Sequence, residues 1–189
     1  MQKATKRPKR RQAYTVNHTA PCPRAGLQII GKIESTKGQE EAFLEGGDFF
    51  PAGTDLALLG IGLRTNYAAA KQLMEKDLLG TTRFAVVRDE LDQNQDRMHL
   101  DCVFSILSDD CCLMLETIMG KDSKQKRLVD LWERDALHKP YTLAKQNTGI
   151  EFAQFMQVRT SRNTTIFMCT LKASAICCAC LLTHHYTLG

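Results

Sequence analysis

One imidazole, three carboxylates and one guanidinium fall in a single ordered stretch of this chain. His99 stands in Met98-His99-Leu100-Asp101, Glu45 and Asp48 bracket a Gly46-Gly47 pair, and Arg64 opens Arg64-Thr65-Asn66. Imidazole titrates near neutral pH, so it is the side chain best suited to give and take protons. A histidine by itself is more often a structural hydrogen-bonding group. Asp101 changes that balance, because in an extended segment residues two apart face the same way. Gly46 and Gly47 permit positive φ and the close approach of a ligand. The plainer readings are an ordinary turn for Glu45, a turn-stabilising role for Asp48, a turn or cap for Asp101 and a surface cation for Arg64.

The order Glu-Gly-Gly-Asp, Arg-Thr-Asn, His-Leu-Asp resembles the guanidino-group-modifying enzymes: arginine deiminases, dimethylarginine hydrolases and glycine amidinotransferases. Of these, arginine deiminase fits best. The resemblance implies a planar, delocalised cation as substrate, held by carboxylates whose paired oxygens match its N–H fork. It implies that His99 protonates the leaving amine and later activates water. Glu45 would contact guanidinium nitrogens and place the histidine, and Asp101 would hold the cation beside the ring. Arg64 would bind the α-carboxylate of the substrate, and Asp48 would support the turn or reach the substrate. The implied reaction is hydrolysis of L-arginine to L-citrulline and ammonia, with no metal and no organic cofactor. The implied fold is an α/β propeller (pentein) of ββαβ modules, of which this chain spans the middle.

Two expected parts are not found in the sequence. The resembled enzymes carry an earlier Phe-x-Arg-Asp segment, and no such string precedes Glu45. They also carry a nucleophilic cysteine in a glycine-rich His-Cys segment near the C-terminus. Thiolates are the usual nucleophile for so poor an electrophile. Of the eight cysteines, Cys102 reads as a strand thiol, and Cys177, Cys178 and Cys180 are the remaining candidates, without the motif. His184 and His185 lie near them, but the spacing does not suit a metal.

Formal net charge is +4, and Lys3, Lys6, Arg7, Lys9, Arg10 and Arg11 crowd the start of the chain. The middle is not a basic surface, so no nucleic-acid partner is expected. The basic tract reads as a solvated tail or as a nuclear import signal. No apolar segment of signal-peptide type follows it, so a cytoplasmic location is expected, with nuclear as the alternative. No run reaches the about 18–20 apolar residues that cross a bilayer; Ile166–Leu182 comes nearest and is interrupted by Lys172.

The elements that must position these groups follow from the apolar pattern. Residues 1–24 read as a disordered basic tail and 25–157 as the folded part. Leu27–Ile33 reads as a strand, Leu56–Leu63 as a buried strand and Asn66–Leu78 as a helix capped by Thr65 or Asn66. Arg83–Val87 is the next strand and Asp89–Arg97 a charged loop. Val103–Leu107 and Cys111–Leu115 pair as a hairpin. Lys121–Leu137 reads as a helix, and Ile150–Gln157 as the opening of another. The sum is a mixed α/β fold.

From Phe152 to Gly189 there is no Asp or Glu, and half of the cysteines lie there. Ordinary composition would place about four or five acids in that span. Residues 158–189 read as a segment from a shifted frame or unspliced intron, standing apart from the fold, or as a divergent native tail. Two functions remain open: a guanidinium hydrolase acting on a small molecule, incomplete as written, or a non-catalytic fragment serving as a binding module.

Overall fold

The computed structural model describes residues 30–35, 38, 40–120, 122–159 and 165–169; from residue 158 onward only the backbone is described. Expectations for residues 1–24, for Cys177, Cys178 and Cys180, and for His184 and His185 lie outside the described residues. All elements belong to the unit Gly31–Gly189.

The first four elements run β-β-α-β. β1 (Phe49–Pro51) turns back antiparallel onto β2 (Leu56–Ile61), with Phe49 opposite Leu59. α1 (Tyr67–Glu75) then crosses over to β3 (Arg83–Arg88), which lies parallel to β2. β2 is buried from Leu56 to Gly60 and β3 from Phe84 to Val87. These continuous apolar runs suit strands covered on both faces. α1 starts where Asn66 leaves helical geometry and its side chain accepts from the Ala69 amide, satisfying one of the unpaired first-turn donors.

β6 (Leu128–Glu133) pairs antiparallel with β3, and its outer side carries the short strands β7 (Thr142–Leu143) and β8 (Ile150–Glu151). The expected helix over Lys121–Leu137 is therefore a strand. The run misleads because both faces of β6 are covered. Val129 and Leu131 enter one core cluster while Trp132 packs against the other. Only the start of the expected helix at Ile150 is strand; α2 (Phe152–Arg159) follows at once. Residues 30–35 carry no strand, because Lys32 and Glu34 tie instead to α1, through Lys76 and Gln72.

The hairpin forms as β4 (Phe104–Ser108) and β5 (Cys111–Leu115), with an irregularity between Ile106 and Ser108. β9 (Thr165–Cys169) adds parallel to β5. The larger sheet thus has α1, Tyr141 and Leu73 against one face, and Phe104, Met114, Phe152 and Phe155 against the other. This is a mixed α/β arrangement of sheets with few helices. No described helix is long and apolar enough to cross a membrane.

Candidate functional site

Glu45, Arg64 and His99 come from three different connections and meet at the carboxyl ends of the parallel strands β2 and β3. Glu45 precedes a one-turn 3-10 helix, Gly46–Asp48, that feeds β1. Arg64 lies between β2 and α1. His99 ends the connection that leaves β3 and is itself extended, immediately before a second 3-10 turn, Leu100–Cys102.

The contacts are short. Nε2 of His99 lies 2.6 Å from Oε2 of Glu45. Arg64 donates from Nε to Oε1 of Glu45 at 2.9 Å, and its Nη2 lies 2.7 Å from the same oxygen. Burial pushes the Glu45 carboxyl up, but the hydrogen bonds and charges of Arg64 and His99 together outweigh it and hold the group below its ordinary value. The carboxylate is thus ready, as an anion, to hold cationic N–H groups.

Asp101 joins this group by a different route from that expected. Residues 100–102 form a turn, not an extended strand, and β4 begins only at Phe104. The turn still puts one nitrogen of His99, one Asp101 oxygen and Sγ of Cys102 within 4.8 Å of one another. Cys102 is accordingly not a strand thiol; its Sγ donates to Oδ1 of Asp101 at 3.5 Å. Nitrogen, oxygen and sulfur in this arrangement are a possible ligand set for a soft metal ion. In the structure, however, the imidazole is engaged by Glu45 and the thiol by Asp101.

The glycine pair also works differently from expectation. Neither Gly46 nor Gly47 has positive φ. A Cβ on Gly47 would lie 2.8 Å from Oδ2 and 3.0 Å from Cγ of Asp101. Gly47 is needed for the space that Asp101 fills.

Asp48 is 4 % exposed and faces inward. Oδ2 accepts from the Thr65 hydroxyl at 2.6 Å, and Oδ1 accepts from the Leu100 amide at 2.8 Å. Burial drives its carboxyl up, and the bonds from Thr65 and Leu100 offset only part of this. One carboxylate therefore ties the Glu45 turn, the Arg64 connection and the His99 connection together. The Thr65 hydroxyl also accepts from the Glu45 amide at 3.1 Å. Asn66 accepts from the Phe43 amide at 3.1 Å and donates to the Glu41 carbonyl at 2.7 Å. In Arg64-Thr65-Asn66, then, the first residue faces the site and the next two fix the turn that carries Glu45.

A second support was not legible in the sequence. Arg127, 3 % exposed, ion-pairs with Asp89 and lies 3.4 Å from Asp92. Arg97 grips Asp92 with Nε at 2.6 Å and Nη2 at 2.8 Å. Burial lowers the Arg127 guanidinium to about 10, and the nearby Asp48 charge opposes that shift. This cluster clamps both ends of the Asp89–Arg97 loop just before His99. The sequence showed only a charged loop, because Arg127 is remote in the chain.

The cluster of Glu45, Arg64 and His99 is an open surface. The side chains of Glu45 and Arg64 are 37 % and 45 % exposed. A small cavity of about 10 Å³ is lined by Asp48, His99, Asp89 and Arg127. A larger one of about 420 Å³ lies elsewhere, lined by Asp55, Arg83, Ser108, Asp109, Cys111 and Met156, without any of the site residues. The Glu45 cluster is the candidate site, because carboxylates and an imidazole converge there.

A family model described as arginine deiminase matches residues 17–161. The chain is also 26 % identical over 154 residues to an arginine deiminase of Halobacterium salinarum, an alignment covering 63 % of this chain and 30 % of that protein. The chain thus spans under a third of the length of that relative.

Proposed function

This chain belongs to the arginine deiminase family, and on that premise we propose that it carries the cation-holding and proton-transferring part of a guanidinium hydrolase acting on L-arginine. The observation that carries this reading is the Glu45 carboxylate shared by the His99 ring at 2.6 Å and a guanidinium, that of Arg64, at 2.7 Å. A carboxylate so placed can present a planar cation to an imidazole.

In this reading Glu45 and Asp101 bind the guanidinium N–H groups, with charge-assisted bonds on two sides. His99 protonates the departing ammonia and then takes a proton from the water that releases L-citrulline. Arg64 pairs with the substrate carboxylate, and Asp48 acts as a positioning residue through Thr65 and Leu100. The attacking group in such a reaction is a thiolate, and no cysteine of this chain is assigned to it; Cys177, Cys178 and Cys180 are candidates without the motif and lie outside the described residues. No metal or organic cofactor takes part. Amidinotransfer and dimethylarginine hydrolysis use the same logic and are the alternatives within the superfamily.

The β1-β2-α1-β3 unit has the ββαβ order of a propeller module, and we read residues 25–157 as part of such a ring; the expectation that 158–189 stands apart does not hold for Thr165–Cys169, because β9 pairs parallel with β5. A non-catalytic binding module is the second reading, because a fold alone does not settle function. Cytoplasmic location, with nuclear entry through the basic tract, and the lack of nucleic-acid and membrane partners are parts of the same proposal.

The test is calorimetric titration with L-arginine together with an assay of citrulline release by residues 1–189. We expect binding that Glu45→Gln and His99→Ala weaken, with little or no turnover, because removing a covalent nucleophile costs orders of magnitude. Binding unaffected by Glu45→Gln would sink the site. Robust turnover abolished by His99→Ala would show that a cysteine of 158–189 is the nucleophile.

A further inference from the structure

Both oxygens of Glu45 are engaged, and one of them is engaged by a guanidinium. His99 takes Oε2, while Nε and Nη2 of Arg64 converge on Oε1. The acid assigned to an incoming guanidinium therefore already holds the same chemical group, supplied by the chain. Among the described residues, Glu45 is the acid that pairs with Arg64.

The backbone on which Arg64 sits is pinned. The Gly62 amide bonds the Thr65 carbonyl at 2.9 Å, Thr65 is anchored on Asp48, and Asn66 caps α1. The long side chain, by contrast, is 45 % exposed. Arg64 can leave Glu45 only by rotation of its side chain into solvent.

Exchange of one guanidinium for another at Oε1 is close to neutral in charge and hydrogen bonds. It leaves the displaced Arg64 beside a second cation, which is unfavourable. A ligand that brings its own anion changes the balance, because the displaced guanidinium then gains a bidentate partner. We infer that Arg64 is a specificity latch: it occupies Glu45 when the site is empty and yields it only to guanidines that carry a carboxylate. This rests on the reading of Glu45 as the guanidinium-binding acid, and it differs from a simple carboxylate clamp. A clamp adds affinity for carboxylate-bearing ligands. A latch also subtracts affinity from those without one.

That difference is measurable. Titrate wild type and Arg64→Ala with L-arginine and with agmatine, the same chain without the carboxylate. The latch requires opposite changes. L-Arginine binds Arg64→Ala more weakly, whereas agmatine binds it about two- to fivefold more tightly, the range set by release of one exposed ion pair. Agmatine affinity that is unchanged or lower in Arg64→Ala overturns the latch. To separate a latch from plain repulsion, repeat the wild-type titration in potassium acetate and in potassium chloride at equal ionic strength. Free acetate draws Arg64 away from Glu45, so it strengthens agmatine binding to wild type but not to Arg64→Ala; equal affinities in the two salts overturn the proposal.

Glu45→Gln distinguishes this failure from failure of the site itself. L-Arginine binding that needs Glu45, with agmatine binding insensitive to Arg64→Ala, defeats the latch alone. No binding of either ligand to either protein defeats both. Arg64 is half-exposed and caps nothing, and amide spectra matching wild type confirm that the variant is folded.

Discussion

Replacing Asp48 by alanine should unfold the site from within. The carboxylate accepts from Thr65 at 2.6 Å and from the Leu100 amide at 2.8 Å. Thr65 is 1 % exposed and Leu100 4 % exposed, so water cannot take over either bond. Each orphaned buried donor costs about 1–3 kcal/mol, or about 2–6 kcal/mol for two. Burial of the carboxylate is itself unfavourable and raises its pKa, so its removal returns part of that sum. We expect a net loss of about 2–4 kcal/mol, with Asp48→Asn near half of it, because the amide keeps the acceptor for Leu100. Urea denaturation followed through Trp132, the single tryptophan, reads this directly. With a slope of about 1–3 kcal/mol/M, the midpoint should fall by roughly 1–2 M at unchanged slope. A shift under about 0.5 kcal/mol would refute the reasoning, because it is what a surface substitution gives. Asp48→Ala combined with Thr65→Ala should be less than additive by at least about 0.5 kcal/mol, since the two share one bond.

Gly47→Ala places a Cβ against the Asp101 carboxylate; L-arginine affinity should fall by about 10- to 150-fold, the value of one charge-assisted bond, with thermal stability nearly unchanged. Equal loss of binding and of stability would point to misfolding instead. Arg127→Met leaves Asp89 and Asp92 buried without their shared cation and should cost about 3–5 kcal/mol; hydrogen exchange should rise first across residues 89–98, and protection retained there would contradict the clamp. The Glu45 carboxyl is held below its ordinary value, so its stabilising contribution is present above that value and is lost as pH falls through the lower, folded one. The stability gap between wild type and Glu45→Gln should therefore narrow over the acid range that begins at the ordinary carboxyl value of 4.5 and runs downward from it. A gap that stays constant over that range would show that the carboxylate charge is not what Arg64 and His99 hold.

Much of the scaffold was legible because local chemistry decides it. β2 and β3 are uninterrupted apolar runs, the Ser108-Asp109-Asp110 turn announces the hairpin, and Asn66 is a cap by its side-chain oxygen. β6 was misread because a strand covered on both faces loses its alternation, so Leu128, Val129, Leu131 and Trp132 look like a helical face. The candidate site residues are legible through resemblance, but their mechanics are not. Nothing in Glu-Gly-Gly-Asp says that the first acid faces outward and the second inward. That division comes from Thr65 and Leu100, which reach Asp48 from distant parts of the chain. The Arg64–Glu45 pair and the Arg127 cluster are equally long-range, and no local pattern encodes them.

The sequence separations inside the site also set an order of assembly. Thr65–Asp48 and Arg64–Glu45 close loops of 17 and 19 residues, whereas Leu100–Asp48 and His99–Glu45 close loops of 52 and 54. Closing the longer loops costs only about 1 kcal/mol more in chain entropy on the logarithmic scale, but β3 and its loop must first be laid beside β2. The turn bearing Glu45 and the connection bearing Arg64 are therefore joined early, as neighbours of one β-β-α unit, and the imidazole is seated last. A molecule caught midway in folding holds its acid and its arginine together before it owns a proton carrier.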